Sequence, residues 1–297
     1  MDVWLNGSFV TLEEARISLF DAGLQHGVGL FETMRASRGQ LVQLEEHLDR
    51  LASSARSLSL TSAVKTEPLG DAIRQSLDAA ACTEARVRVT LTGGDLNMLS
   101  AIRAGRATIH DPTIAIVVQP ATEYPAQLAQ QGIRVSIAED RLSDHDRAAS
   151  HKTLNYWPRL RALQEAAQSG CSEALWLSTR GQLAGACTSN VFLVRDGMLV
   201  TPLARGDAGC GEVAPPVLPG TVRRAMIQWA GREGIRVECR AVQANEVMLA
   251  EEIVLTNSSW GVMPVAGIEA HDVGSGVPGP IGRRMQREWD RMLSSAG

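Results

Sequence analysis

Lys152 stands in the run SHKTLNYWPRL and is one of two lysines in a chain of 297 residues; the other is Lys65, and the remaining 27 of 29 basic residues are arginine. A lysine amine can lose its proton and condense with an aldehyde, whereas a guanidinium stays protonated and does neither readily. The plain alternative is a surface cation that has not become arginine. Thr153, Asn155, Tyr156 and Trp157 add hydroxyl, amide and aromatic groups able to bracket a flat, hydrogen-bonding ligand. Two further stretches have the composition of phosphate cradles. Pro219-Gly220-Thr221 leads a glycine turn into a helix start, where free N–H groups and the helix dipole favour an anion. Thr256-Asn257-Ser258-Ser259 places small polar residues after an apolar strand. Each alone reads equally as a turn or a cap. With a lysine amine and Arg50 they outline a site for a phosphorylated aldehyde.

The elements that must position these residues follow from periodicity. In EEHLDRLASSARSL, Leu44, Leu48, Leu51, Ala55 and Leu58 form one helical stripe, which places Arg50 on that helix. VWLNGSFV, GQLVQL, ARVRVTL and TIAIVVQP read as strands, with a turn at Thr92 to Asp95. After Pro120 the segment 121–131 reads as a linker between an N-terminal domain, 1–120, and a C-terminal domain, 132–297. There IRVSIAED and EALWLSTRGQLAG are strands around a helix that opens near Pro158 and stops at Gly170. NVFLVRDGMLVTPL is a hairpin turning at Asp196-Gly197. The long loop ARGDAGCGEVAPPVLPG is either mobile or draped over a site, and it feeds a helix starting near Thr221. IRVECRAV and EEIVLT read as strands, and PIGRRMQREWDRML as an amphipathic helix.

Composition narrows the class. A hydrophobic share of 44% and a charged share of 21% are those of a globular protein, and a net charge of -4 gives no global reason to bind nucleic acid. The start MDVWLNGSFV has no leader pattern and no apolar run is long enough to span a bilayer, so a cytosolic protein without membrane partners is expected. The five cysteines are scattered without ligand spacing and read as reduced thiols; no metal is expected, SDHDR reading as a solvated loop. GSGVPG lies outside any strand-turn-helix unit and is set aside as a dinucleotide motif.

In order along the chain, HGVGLFETMR, LEEHLDRL, KTLNY, TSNVFLVRDGMLVTP, LPGTVRR and LTNSSWGVMPV resemble the class IV, fold type IV enzymes that use pyridoxal 5'-phosphate. These are the branched-chain and D-amino-acid aminotransferases and aminodeoxychorismate lyase. The resemblance implies a mixed α+β fold of two domains, a smaller N-terminal α/β domain and a larger C-terminal domain with a β-barrel-like core. It implies that Lys152 forms the imine with the cofactor and then moves the proton at the substrate Cα. Arg50, Thr221, Asn257, Ser258 and the backbone N–H of Val222 would hold the cofactor phosphate, with Tyr156 beside the phenolic oxygen. Phe31, Arg35 and the 92–95 loop, with Thr92 and Gly93, would face an amino-acid substrate; core aromatic, surface cation and tight turn are their plain alternatives. His26 and His151 stand near the site in sequence as polar lining. A homodimer is implied as well.

One departure bears on activity. The family's glutamate that pairs with the pyridine nitrogen corresponds to Gly185 in LAGACTSNVF. Unless Glu173 or a water takes over, the nitrogen is expected to be neutral and the ring a weaker electron sink. The FETMR and TNSSWGVMPV wording resembles the lyase most, which eliminates pyruvate to leave 4-aminobenzoate. A transaminase for D- or branched-chain amino acids, and a non-catalytic homologue that binds the cofactor, stay open as alternatives.

Overall fold

The computed structural model describes residues 2–61, 64–95, 112–211 and 213–295, and the chain divides into two compact units. Unit one comprises Met1–Thr122, Lys152–Asn155 and Ser294–Gly297. Its described strands are β1 (Asp2–Leu5), β2 (Ser8–Thr11), β3 (Gly29–Ser37), β4 (Gln40–Leu41), β5 (Ala85–Thr92) and β6 (Ile114–Pro120). They form an antiparallel sheet in the order β2-β1-β6-β5-β3-β4. Its helices are α1 (Ala22–His26), α2 (Leu44–Ser57) and α3 (Thr66–Ala80). The period of two in ARVRVTL turns Val87, Val89 and Leu91 toward α2 and α3, where they meet Leu48, Leu51, Ile73 and Leu77 in one core. On β3, Leu30 and Met34 join that core, so Glu32 shares their face while Phe31 points to the opposite one.

The four residues from Lys152 to Asn155 return to unit one and extend its sheet. Phe31 N–H donates to the Lys152 carbonyl and Leu154 N–H to the Gly29 carbonyl, both at 2.9 Å, around an antiparallel bridge between Leu30 and Thr153. The edge is open there because β4 pairs only with Ala36 and Ser37.

Unit two comprises Glu123–His151 and Tyr156–Leu293. Its strands are β7 (Ile133–Leu142), β8 (Glu173–Ser178), β9 (Leu183–Ala186), β10 (Asn190–Arg195), β11 (Met198–Pro202), β12 (Val237–Arg240), β13 (Glu252–Asn257), β14 (Gly261–Ile268) and β15 (His271–Asp272). The order is β12-β11-β10-β13-β14-β7-β8-β9, with β15 on β14, and β9 at one end curls back beside β10 and β11 into a half-barrel. Strands β8, β13 and β14 are buried almost throughout, as their unbroken apolar runs require. Around the sheet lie α4 (Ala126–Gln131), α5 (Trp157–Gln168), α6 (Thr221–Arg232), α7 (Ala244–Met248) and α8 (Pro280–Ser295). Helix α4 occupies the second half of the segment read as a linker and packs on β14. No helix among the described residues is long and apolar enough to cross a membrane.

The loop from Leu203 to Gly220, of which Glu212 lies outside the described residues, is pinned near its start. Arg223 on α6, 3% exposed, donates to Asp207 Oδ2 at 2.6 Å and to the Pro202 carbonyl at 3.0 Å, while Ala204 N–H donates to the same Asp207 oxygen at 2.9 Å. Ala204 and Val217 are buried with Ala184.

Gly29 decides whether the Lys152 segment can dock. A Cβ there would lie 2.6 Å from the Leu91 carbonyl oxygen and 2.6 Å from the Leu154 side chain. Gly29→Ala is expected to lower stability by about 1–3 kcal/mol, read by thermal melting, and to speed hydrogen exchange of the Leu154 amide; an unchanged amide would break the link between Gly29 and docking.

Candidate active site

Within unit one the Lys152 amine lies over the Phe31 ring, 4.4 Å from its centroid, and the Arg88 guanidinium sits over the same ring at 4.0 Å. Arg88 went unread in the sequence because it occupies an outward position of an alternating strand. Behind β3, Arg50 is 7% exposed and forms a bidentate pair with Glu32, Nε to Oε1 at 2.8 Å and Nη2 to Oε2 at 2.6 Å. His47 Nδ1 is 2.7 Å from Glu32 Oε2.

Burial alone would raise the Glu32 carboxyl, yet Arg50 and then His47 outweigh it together and hold it at about 2. His47 is pushed down, first by burial, with Glu32 opposing and the charges of Arg50 and Lys152 acting in the same direction as burial. Neither Glu32 nor His47 was picked out by the sequence reading. The signal was there: Glu32 shares a face with Leu30 and Met34, and His47 falls on the buried stripe of α2.

The expected substrate-side residues separate. Thr92 donates to Asp21 Oδ2 at 2.7 Å and accepts from Gly94 N–H at 3.1 Å. Gly93 N–H donates to the Val28 carbonyl at 2.9 Å, so the 92–95 loop is locked to the start of α1. Asp21, 1% exposed and also bonded to Thr113 and Gly23 N–H, is the organiser the sequence did not disclose. Arg35 is not brought to Lys152. It pairs with Glu84 and sits four residues along β3 from Phe31, roughly 13 Å at strand rise. His26 is exposed at the end of α1.

Within unit two, Thr221 opens α6 behind Gly220, whose position carries no side-chain cap, so the first N–H groups of the helix lack intrahelical partners. A Cβ on Gly220 would meet Asn190 Oδ1 at 1.9 Å, which fixes glycine at this approach. Thr221 Oγ1 lies 3.4 Å from Ser258 Oγ. Asn257 Oδ1 accepts from Ser259 and Trp260 N–H at 2.9 and 3.0 Å and shapes the turn after β13. The Val222 side chain is buried, leaving only its N–H to face a ligand. Thr256 Oγ1 and Trp260 Nε1 are buried without a hydrogen-bond partner among the described residues. A helix start without a side-chain cap beside the Thr221 and Ser258 hydroxyls fits a phosphate group.

The Tyr156 hydroxyl donates to the Cys187 carbonyl at 2.9 Å and Arg159 donates to the Ala186 carbonyl at 2.8 Å, docking α5 just past Gly185. Gly185 has φ +118 at a bulge of the β8–β9 ladder, a conformation that L side chains rarely adopt. Glu173 is engaged by the turn that follows β9. One of its oxygens accepts from Thr188 N–H and hydroxyl at 3.1 and 2.6 Å and from the Ser189 hydroxyl at 3.2 Å. Burial pushes its carboxyl up, with Thr188 opposing.

Comparison with known proteins places this geometry. The chain is 30% identical over 300 residues to a Methanocaldococcus jannaschii protein provisionally named as a branched-chain-amino-acid aminotransferase, covering 100% of this chain and 98% of that one. The branched-chain amino acid aminotransferase of T.th. solved with pyridoxamine 5'-phosphate superimposes with a TM-score of 0.86 at 23% identity, covering 100% of this chain and 95% of the other, a likeness of fold. The 4-amino-4-deoxychorismate lyase of Pseudomonas aeruginosa gives 0.81 at 26% identity, covering 96% and 97%. The sequence model of the amino-transferase class IV family matches residues 29–268, from the start of β3 to the end of β14, and the chain belongs to that family.

Proposed function

We propose that the chain is a pyridoxal 5'-phosphate enzyme acting at Cα of an amino acid, with an elimination of the kind named for 4-amino-4-deoxychorismate lyase as its reaction. When bound, the cofactor supplies an aldehyde for an amine and a conjugated ring that spreads the electron pair left at Cα. Lys152 is the amine for that aldehyde and then takes the Cα proton; its backbone is held on both sides by β3. Thr221, Ser258, Asn257 and the N–H of Val222 receive the phosphate, with Arg50 as its cation, and Tyr156 orients the ring. Phe31 and Arg88 present an aromatic face and a fixed positive charge to the substrate.

The observation that carries the choice of elimination is Gly185. Its backbone is set for glycine and Glu173 is engaged by Thr188 and Ser189, which supports a pyridine nitrogen without a carboxylate partner. The sink for the Cα electron pair is then weaker. A pair that moves into a new ring double bond, as the C–O bond to pyruvate breaks and its electrons leave on the enol oxygen, asks less of that sink than one that must wait to be reprotonated. Transamination of branched-chain or D-amino acids is the second reading, favoured by the names of the relatives.

The cytoplasm is its proposed location, and a second copy of the chain its proposed partner. Leu12, Ile17, Leu19, Phe20 and Leu24 of unit one are each at least half-exposed, with Leu19 at 76% and Phe20 at 67%. Such a run of apolar surface marks an interface.

Three outcomes are expected. Borohydride reduction with pyridoxal phosphate places a pyridoxyl adduct on Lys152 in peptide mass maps, and Lys152→Ala loses both the adduct and about 10²- to 10⁴-fold of turnover; turnover that survives the substitution would sink the mechanism. Holoenzyme given aminodeoxychorismate releases pyruvate and 4-aminobenzoate, and given leucine or D-alanine without a keto acid it accumulates no pyridoxamine form by absorbance. The reverse pattern makes it a transaminase. Sedimentation finds a dimer, which Leu19→Asp with Phe20→Asp converts to monomer; a wild-type monomer ends that assignment.

A further inference from the structure

Helix α6 starts against its own electrostatics. Its first turn holds no acidic residue and carries Arg223 and Arg224, at the end where the helix dipole disfavours a cation. Arg224 faces solvent, but Arg223 is 3% exposed, and a buried guanidinium persists only where fixed partners surround it. Those partners come from three elements. Arg223 Nε donates to Thr201 Oγ1 at 3.2 Å and Nη2 to the Pro202 carbonyl at 3.0 Å, both at the end of β11. Nη1 and Nη2 donate to Asp207 Oδ1 and Oδ2 at 3.3 and 2.6 Å, a bidentate pair with the loop that follows β11. Nη2 also lies 3.5 Å from Cys239 Sγ on β12. The third residue of the helix is thereby fixed to β11, β12 and the loop between β11 and α6.

The entry to the helix is held from the other side. Thr201 Oγ1, which accepts from Arg223, donates to the Val191 carbonyl on β10 at 2.8 Å. The residue before Val191 is Asn190, 7% exposed, whose Nδ2 donates to the Leu218 carbonyl at 2.8 Å and whose Oδ1 fills the space that a Cβ on Gly220 would need. Asn190 is also the ladder partner of Thr256, after which the chain turns through Asn257 and Ser258. Gly220, Thr221 and Val222 therefore sit between two buried anchors, Asn190 on the approach and Arg223 inside the first turn. One of those anchors is shared with the strand end that supplies Ser258. An acid or a side-chain cap would start a helix with less conflict. What this clamp secures instead is the placement of a hydroxyl and the first free N–H groups.

We propose that Arg223 and Asn190 are positioning residues for a phosphate group, holding residues 220–222 from both sides so that the Thr221 hydroxyl and the first-turn N–H groups are in place before the phosphate arrives. Arg223 acts through Thr221 and Val222, its own charge being taken up by Asp207. A preformed site spares the ordering of those groups on binding, so loosening either anchor weakens a phosphorylated ligand and leaves its unphosphorylated counterpart alone. The inference rests on the reading of the α6 start as the phosphate site of a pyridoxal 5'-phosphate enzyme.

The test compares two aldehydes that differ only in the phosphate, pyridoxal 5'-phosphate and pyridoxal. Each is titrated by absorbance into the full chain freed of cofactor with hydroxylamine, and borohydride reduction locates the adduct. Wild type is expected to prefer the phosphorylated aldehyde by on the order of a hundredfold. Arg223→Lys, which keeps the charge and loses the planar fork, and Asn190→Ala are each expected to weaken that aldehyde by about tenfold or more and to leave pyridoxal within about twofold. Melting temperatures report folding, and the pyridoxal arm is the control for any variant that melts lower. Equal loss of both aldehydes makes the two residues merely structural and overturns the proposal, as does a wild-type preference kept by either variant. Wild type that forms no adduct on Lys152 with either aldehyde defeats the enzyme reading and the inference with it. Wild type that forms the adduct with both and prefers neither defeats the phosphate site alone.

Discussion

Two backbone hydrogen bonds carry the consequences of this fold, Phe31 N–H to Lys152 and Leu154 N–H to Gly29. They exist because β3 has an open edge over its first residues, and an open edge presents unpaired N–H and C=O groups that a short extended segment can satisfy. Four residues suffice to fill it. The pairing turns a flexible four-carbon side chain into a group whose Cα is fixed to a sheet, so the amine is confined to the neighbourhood of the Phe31 ring. Proton transfer at carbon depends on placement within about half an ångström, and rigid elements supply that better than loops do.

The same sheet carries a second constraint on its helix side. Glu32, Arg50 and His47 are buried between β3 and α2, where an isolated charge would be intolerable. The bidentate pair makes the carboxylate and guanidinium mutually acceptable, and His47 stays neutral because burial outweighs the carboxylate beside it. With the Glu32 carboxyl lowered from 4.5 to about 2, its contribution to stability is complete above pH 4.5 and is lost as pH falls through 2. Across ordinary conditions the cluster is therefore always charged, and Arg50 is held in one orientation by a partner that does not titrate away.

Much of this was legible in the sequence for a physical reason, and the rest was not for another. The α2 stripe, the 85–92 alternation, the Asp196-Gly197 turn and the helix opening at Thr221 are local patterns, and each formed as its period or turn chemistry requires. Lys152 was conspicuous by rarity. Glu32 and Asp21 were not, because their meaning lies in partners 18 and 71 or more positions away, Arg50 for one and Thr92 with Thr113 for the other. Arg35 was legible as part of the motif that holds Phe31, but its pairing with Glu84, and its separation from Phe31 by strand rise, were not. The 203–220 loop was too irregular to read, because what fixes it is tertiary: Arg223 on α6 holds Asp207, and Ala204 and Val217 are buried with Ala184.

Gly185 is the place where family pattern and this chain part, and its backbone says more than its missing side chain. A residue at φ +118, whose Cβ would lie 3.2 Å from the Ser189 carbonyl oxygen, is strained for any L side chain, glutamate included. The turn that follows is held from four directions, by Tyr156 and Arg159 on its carbonyls and by Glu173 through Thr188 and Ser189. Restoring the acid would require the bulge and that turn to move together. Elsewhere the chain retains features that folding alone does not reward: a helix start without a side-chain cap, Thr256 and Trp260 polar atoms buried without partners among the described residues, and an amine pinned over an aromatic ring. Unsatisfied buried polar groups cost stability and persist where something outside the chain satisfies them. Their survival in a chain with glycine at 185 supports the reading of a site kept for its chemistry rather than one abandoned by it.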